Sequence, residues 1–237
     1  PAQLNACYDG IWDTVAPTLC LISKVKGNWE YWVHEIYKSK QNTDWKAWKD
    51  DDTAHAIEEN PNLIEFLKQQ YKEGKIDIGF HAKYHRNEDE TLPKEHAANY
   101  IRGAEFYTNR HLSNYSKEEV QHLNNLLDCH ISVFTPPQNL LSLQGYKSVI
   151  EADLNICGGG ISFTQKQKDF RGILNIAKQG LFKVVNRGYD YPRTVRYSTH
   201  TELPYHYPLQ PNTKLETLIK QFDMVRKFDG DFVLSTH

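Results

Sequence analysis

Ile76-Asp77-Ile78-Gly79-Phe80-His81-Ala82-Lys83-Tyr84-His85 is a short apolar run that ends in two histidines four residues apart. Its length and apolar content predict a buried strand whose C-terminal end carries His81 and His85. Neutral imidazole is the commonest side-chain metal ligand. Four-residue spacing lets both rings converge on one divalent ion if the backbone curls into a turn after Phe80. The plain alternative is a surface loop with two unrelated histidines, since the chain holds 11 of them.

The flanks of this run give the frame. Upstream, Asn60-Pro61 reads as a helix start, with a cap, a proline in the first turn, and Leu63, Ile64, Phe66, Leu67 and Tyr71 inward. Gly74 ends that helix. Before it, Thr18-Leu19-Cys20-Leu21-Ile22 reads as a strand buried on both faces, preceded by an amphipathic helix over residues 3–15. Residues 24–60, with Trp29, Trp32, Trp45 and Trp48 among charges, read as an irregular insertion or loop. There the acidic run Asp50-Asp51-Asp52 reads as a turn or helix cap, and also as a candidate carboxylate ligand.

Downstream, a helix is expected around residues 97–109. Ser116-Lys-Glu-Glu119 reads as a capping box that opens a helix through Leu127. The strand Ile131–Phe134 follows, then Thr135-Pro136-Pro137-Gln138-Asn139, a helix from Ser142, and a strand Leu154–Ile156 ending in a triple glycine. Leu181–Val185 reads as a strand leading into Asn186-Arg187-Gly188-Tyr189-Asp190, then a loop through His206. A last helix over Lys214–Lys227 and a strand Phe232–Ser235 deliver His237. Alternating strands and helices imply a parallel sheet in a single domain over residues 1–237. The six strands, with one more expected in chain preceding Pro1, suggest an α/β barrel of about seven strands, closed or nearly so. In such folds function collects at strand C-termini.

Composition narrows the classes. A net charge of −2 and the lack of a basic run argue against a nucleic-acid partner. No stretch approaches the roughly 18 apolar residues of a membrane helix, so direct membrane insertion is not expected. Cys7, Cys20, Cys129 and Cys157 are scattered without a CxxC pair, which suggests buried free thiols and a reducing compartment. The expected location is the cytoplasm, with the periplasm as the alternative. The chain starts at Pro1, and its one methionine is Met224. It is therefore expected to be part of a longer polypeptide, truncated at the N-terminus and at the C-terminus.

The landmarks in order are His81 and His85, the proline-containing strand end Phe134–Pro137, and Leu234-Ser-Thr-His237. This series resembles the polysaccharide deacetylases of carbohydrate esterase family four, in a divergent form. The resemblance implies a single deformed (β/α)7 barrel with parallel strands. It implies a divalent metal, most simply Zn2+, held by His81 and His85 with a carboxylate from an Asp-Asp motif upstream of Pro1. It further implies His237 as the catalytic acid.

The expected activity is removal of N-acetyl or related acyl groups from a glycan or sugar-nucleotide in bacterial surface polysaccharide (lipopolysaccharide) biosynthesis. Tyr84, Pro137, Gln138, Asn139, Arg187, Asp190 and His206 are the expected substrate-binding residues, with a backbone N–H near Tyr84 or the proline loop as oxyanion donor. His200 and His206 otherwise read as loop histidines. The chain departs from the family in lacking the arginine of the proline motif, where Thr135 stands, and in one extra residue before His237. The alternative is a catalytically inactive carbohydrate-binding barrel module of a larger protein. A two-metal phosphoesterase would need more strand-end carboxylates than this chain offers.

Overall fold

The structure, a computed structural model, describes residues 14–27, 51–85, 104–108, 112–158, 168–203, 207–209 and 212–235. Residues 3–13 of the helix expected over 3–15, the four tryptophans, most of the helix around 97–109, the triple glycine's end, His206 and His237 lie outside the described residues; Thr14 and Val15, at that helix's expected end, are not helical.

Six strands form one sheet: β1 (Thr18–Ile22), β4 (Asp77–Ala82), β5 (Val133–Phe134), β6 (Asn155–Cys157), β7 (Val195–Arg196) and β8 (Thr201–Leu203), in the order β1-β4-β5-β6-β8-β7. All neighbours are parallel except β7 and β8. The protein is thus an α/β molecule with a mainly parallel central sheet. The pairings among the described residues do not close it into a barrel, and its last pair is antiparallel. Gly79 shows how tightly the centre is built. A Cβ there would stand 2.9 Å from Cys20 Sγ and 3.3 Å from the Val133 carbonyl, so both neighbours of β4 close on a position without a side chain.

Two small ribbons complete the strands. β2 (Lys24–Gly27) and β3 (Asp51–Ala56) pair antiparallel, so the ends of the expected irregular 24–60 segment are regular, and Asp51 and Asp52 lie in a strand rather than a turn or cap. β9 (Tyr207–Pro208) pairs in parallel with β10 (Leu234–Ser235). Among the described residues the final strand therefore joins this ribbon and not the central sheet.

The helices are α1 (Pro61–Lys72), α2 (Glu105–Thr108), α3 (Leu112–Leu127), α4 (Leu143–Glu151), α5 (Phe170–Val185) and α6 (Leu215–Lys227). Asn60 accepts from the Leu63 N–H and Ser142 from the Gly145 N–H, so two helices start where their caps stand. Gly74, at φ +68°, turns the chain out of α1. Ser116 and Glu119 do not open a helix. They lie inside α3, where Ser116 Oγ meets Ser148 Oγ of α4 at 2.6 Å and Glu119 pairs with Lys83 at 3.0 Å. Leu181–Val185 is likewise no strand; it is the last part of α5.

The main core lies where α1, α3 and α4 pack on β4, β5 and β6. At its centre Phe80, Phe106 and Phe134 are fully buried with ring centroids 4.7–6.0 Å apart. A second, smaller cluster of Tyr191, Val195 and Tyr197 packs against Phe182 of α5.

Candidate functional site

Strand β4 is buried from Ile78 to Ala82 and carries His81 next to its last residue. His81 Nδ1 lies 2.7 Å from the Thr135 carbonyl, at the end of the neighbouring strand. Donation to that carbonyl puts the proton on Nδ1 and turns Nε2 into the acceptor, the arrangement that metal-ligating histidines show. Thr135 N–H in turn donates to the Phe80 carbonyl at 3.0 Å, so β5 continues alongside β4 at the histidine itself.

Beyond Ala82 the chain turns back. His85 adopts a left-handed conformation (φ +68°), and its ring comes to 5.1 Å from that of His81, centroid to centroid, tilted by 47°. A non-glycine residue in this region carries a strain on the order of 1 kcal/mol, which surrounding contacts must overcome.

The contacts come from Glu105 of α2. Its carboxylate accepts from the Lys83 N–H at 3.0 Å, the Tyr84 N–H at 2.7 Å, the His85 N–H, and the Tyr115 hydroxyl at 2.9 Å. Glu105 is fully buried, and burial pushes its pKa up to about 7 against the opposing pull of those four donors. Tyr115 is pushed upward by its own burial and by Glu105 beside it. Lys83 stays cationic: burial lowers its pKa, and the ion pair with Glu119 outweighs this. The Lys83 ammonium also stands 5.4 Å from the Tyr115 ring and 5.7 Å from that of Tyr84.

The sequence-derived residues divide by place. His81, His85, Tyr84 and the Pro136-to-Asn139 turn gather at the adjoining ends of β4 and β5. Pro137 is buried, Gln138 is half-buried, and Gln138 and Asn139 both take left-handed backbone angles of φ +57° and +56°. The Tyr84 N–H is occupied by Glu105 and so is not an oxyanion donor in this arrangement. Arg187 and Asp190 are not at a strand end, because the segment before them is helical. Arg187 is exposed just past α5, and Asp190 pairs with Lys183 at 2.9 Å. His200 is a loop histidine as expected, in the turn between β7 and β8, but it is buried, bonded through Nε2 to Glu202 at 3.1 Å and Tyr146 at 3.0 Å, with Tyr197 stacked on it at 4.9 Å. Cys20, Cys129 and Cys157 are free, as expected, and burial lifts the latter two thiols to about 11, where they are inert.

Among the described residues no three His, Cys, Asp or Glu side chains come together as a ligand set. Sequence reasoning missed Glu105, which stands in a polar stretch with no pattern to mark it.

No protein-family model matches the chain, and no curated protein matches it. Among solved structures it is similar to a CE4 family pseudoenzyme from Bacillus anthracis, with 12% identity over 92% of this chain and 62% of that one, at a TM-score of 0.33. Two mutants of that pseudoenzyme, one of them with restored enzymatic activity, give TM-scores of 0.32 and 0.31 at the same identity. The chain spans 62–64% of the length of these solved chains. A likeness of this size decides neither fold nor function.

Proposed function

We propose that the protein is a metal-dependent hydrolase that removes N-acetyl or related acyl groups from a glycan or sugar-nucleotide. The observation that carries this reading is the convergence of the His81 and His85 rings, with His81 Nδ1 bonded to the Thr135 carbonyl. The pair fits a divalent ion such as Zn2+, since one ring is already held in the ligating tautomer and the other is drawn to it by a strained turn. His81 and His85 would hold the ion, together with a carboxylate that the described residues do not bring to the pair. When bound, a divalent ion supplies Lewis acidity toward an amide carbonyl and toward water. The carbonyl of Thr135 orients His81, and Glu105 fixes the turn that returns His85. In this proposal His237 gives a proton to the leaving amine. Tyr84, Gln138 and Asn139 flank the pair where a sugar would lie.

Acetate release from N-acetylated chitooligosaccharides tests the reading. The expected result is release that stops with chelator and returns with Zn2+. Release unaffected by chelator would refute metal dependence.

A second reading has its own support. The Glu105 carboxylate at the histidine turn is committed to backbone N–H groups, and among the described residues no third ligand joins the pair. A carbohydrate-binding module would need none. Glycan binding without metal and without acetate release favours that reading.

A further inference from the structure

Helix α5 is built inside out. Phe170, Ile173, Leu174, Ala177, Leu181, Val184 and Val185 follow the three-to-four spacing of one helix face. That face points outward: the six large residues among them are 53–80% exposed. The face turned to the body carries Gly172 and Gln179, both buried, while Asn175 donates to the Arg196 carbonyl at 2.7 Å and Gln179 to the Tyr197 hydroxyl at 3.4 Å. An apolar stripe of this length left in water marks an interaction surface.

Its flank identifies what covers it. Arg171 and Lys178 stand seven residues apart on one side of the stripe and, with Arg196, line a cleft of about 430 Å3 floored by Tyr191. Lys178 lies 4.9 Å from the Tyr191 ring centroid. Lys178 and Arg196 have no ion-pair partner among the described residues, and Arg171 has only the Asp169 carboxylate near it, whose pKa it helps to lower. Helix α5 contains no carboxylate, Asp169 is bonded to the Gly172 N–H and to Ser198, and Asp190 is bonded to Lys183.

We propose that α5 is a membrane-docking helix, its apolar face entering the acyl boundary of an anionic bilayer and Arg171, Lys178 and Arg196 meeting lipid phosphates. Apolar residues on one face with basic residues beside them define helices that lie in the plane of a bilayer interface. A second copy of the chain would offer this stripe no acidic side chain from its own α5. An anionic bilayer supplies both apolar and anionic partners. Such docking needs no spanning segment, and no helix among the described residues is long and apolar enough to cross a membrane. The inference stands on α5 alone and does not depend on the histidine pair.

Co-sedimentation of the 237-residue chain with vesicles of about three parts phosphatidylcholine to one of phosphatidylglycerol tests it. Binding is expected to the mixed vesicles, to weaken with salt, and to be far poorer with phosphatidylcholine alone. Arg171→Glu/Lys178→Glu/Arg196→Glu should lower partitioning on the order of 100-fold. Leu181→Asp/Val184→Asp should abolish it. All five positions are exposed, so both variants should keep the wild-type melting temperature and circular dichroism. Equal binding to neutral vesicles, or partitioning unchanged in either variant, overturns the proposal. So does failure to bind vesicles together with a dimer that Leu181→Asp/Val184→Asp dissolves.

Discussion

Glu105 has the most demanding position of any single residue. It is a buried acid that serves as a shared acceptor for three consecutive backbone N–H groups, and the turn it holds carries His85. Glu105→Gln replaces an acceptor oxygen by an amide NH2 facing one of those donors, which costs about 1–3 kcal/mol. The pH dependence has a definite sign. With a folded pKa of about 7 against an ordinary 4.5, the folded state holds the proton more tightly than the unfolded state. The contribution is fully present below pH 4.5 and is lost as pH rises to 7, about 3 kcal/mol in all. In urea melts of chelator-treated protein, the gap between wild type and Glu105→Gln should therefore be largest near pH 5 and shrink toward pH 8. A gap that does not change with pH would show that Glu105 titrates normally.

Close packing between elements can be tested at two glycines. At Gly145 of α4 a Cβ would lie 2.3 Å from the Phe106 carbonyl oxygen, so Gly145→Ala must push α4 away from α2. The expected loss is about 1–3 kcal/mol by thermal or urea melting. Gly180 of α5 has nothing within 4 Å of an added Cβ, and Gly180→Ala should stabilise by about 0.5–1 kcal/mol through helix propensity.

Element by element, the sequence was legible where local chemistry agrees with burial. The Asn60 and Ser142 caps opened their helices as expected, and the apolar runs at Thr18–Ile22 and Asp77–Ala82 became strands. It misled where one pattern serves two structures. Leu181-Phe-Lys-Val-Val185 is β-branched enough for a strand, but it continues a helical stripe that began at Phe170. Ser116 and Glu119 have capping-box spacing, yet they are used for contacts with Ser148 and Lys83. Strand β8 was overlooked because Glu202 at its centre is acidic, and its burial depends on His200, Tyr146 and the strand next to it.

Across the whole molecule, parallel pairing of β4 and β5 sets the ends of both strands side by side and so creates the site. That juxtaposition was foreseen from two motifs more than fifty residues apart, because parallel sheets place strand C-termini together. Glu105 was not foreseen, since nothing local marks a residue whose role depends on a tertiary contact with a turn twenty residues earlier. The central claim is that His81 and His85 act as one ligand pair. Zinc titration by isothermal calorimetry, with bound metal counted by mass spectrometry, tests it most directly. Wild-type protein is expected to bind one ion, and His81→Ala and His85→Ala are each expected to weaken binding at least about 100-fold with unchanged melting of the apo form. Stoichiometric zinc retained at wild-type affinity in both variants would contradict the account.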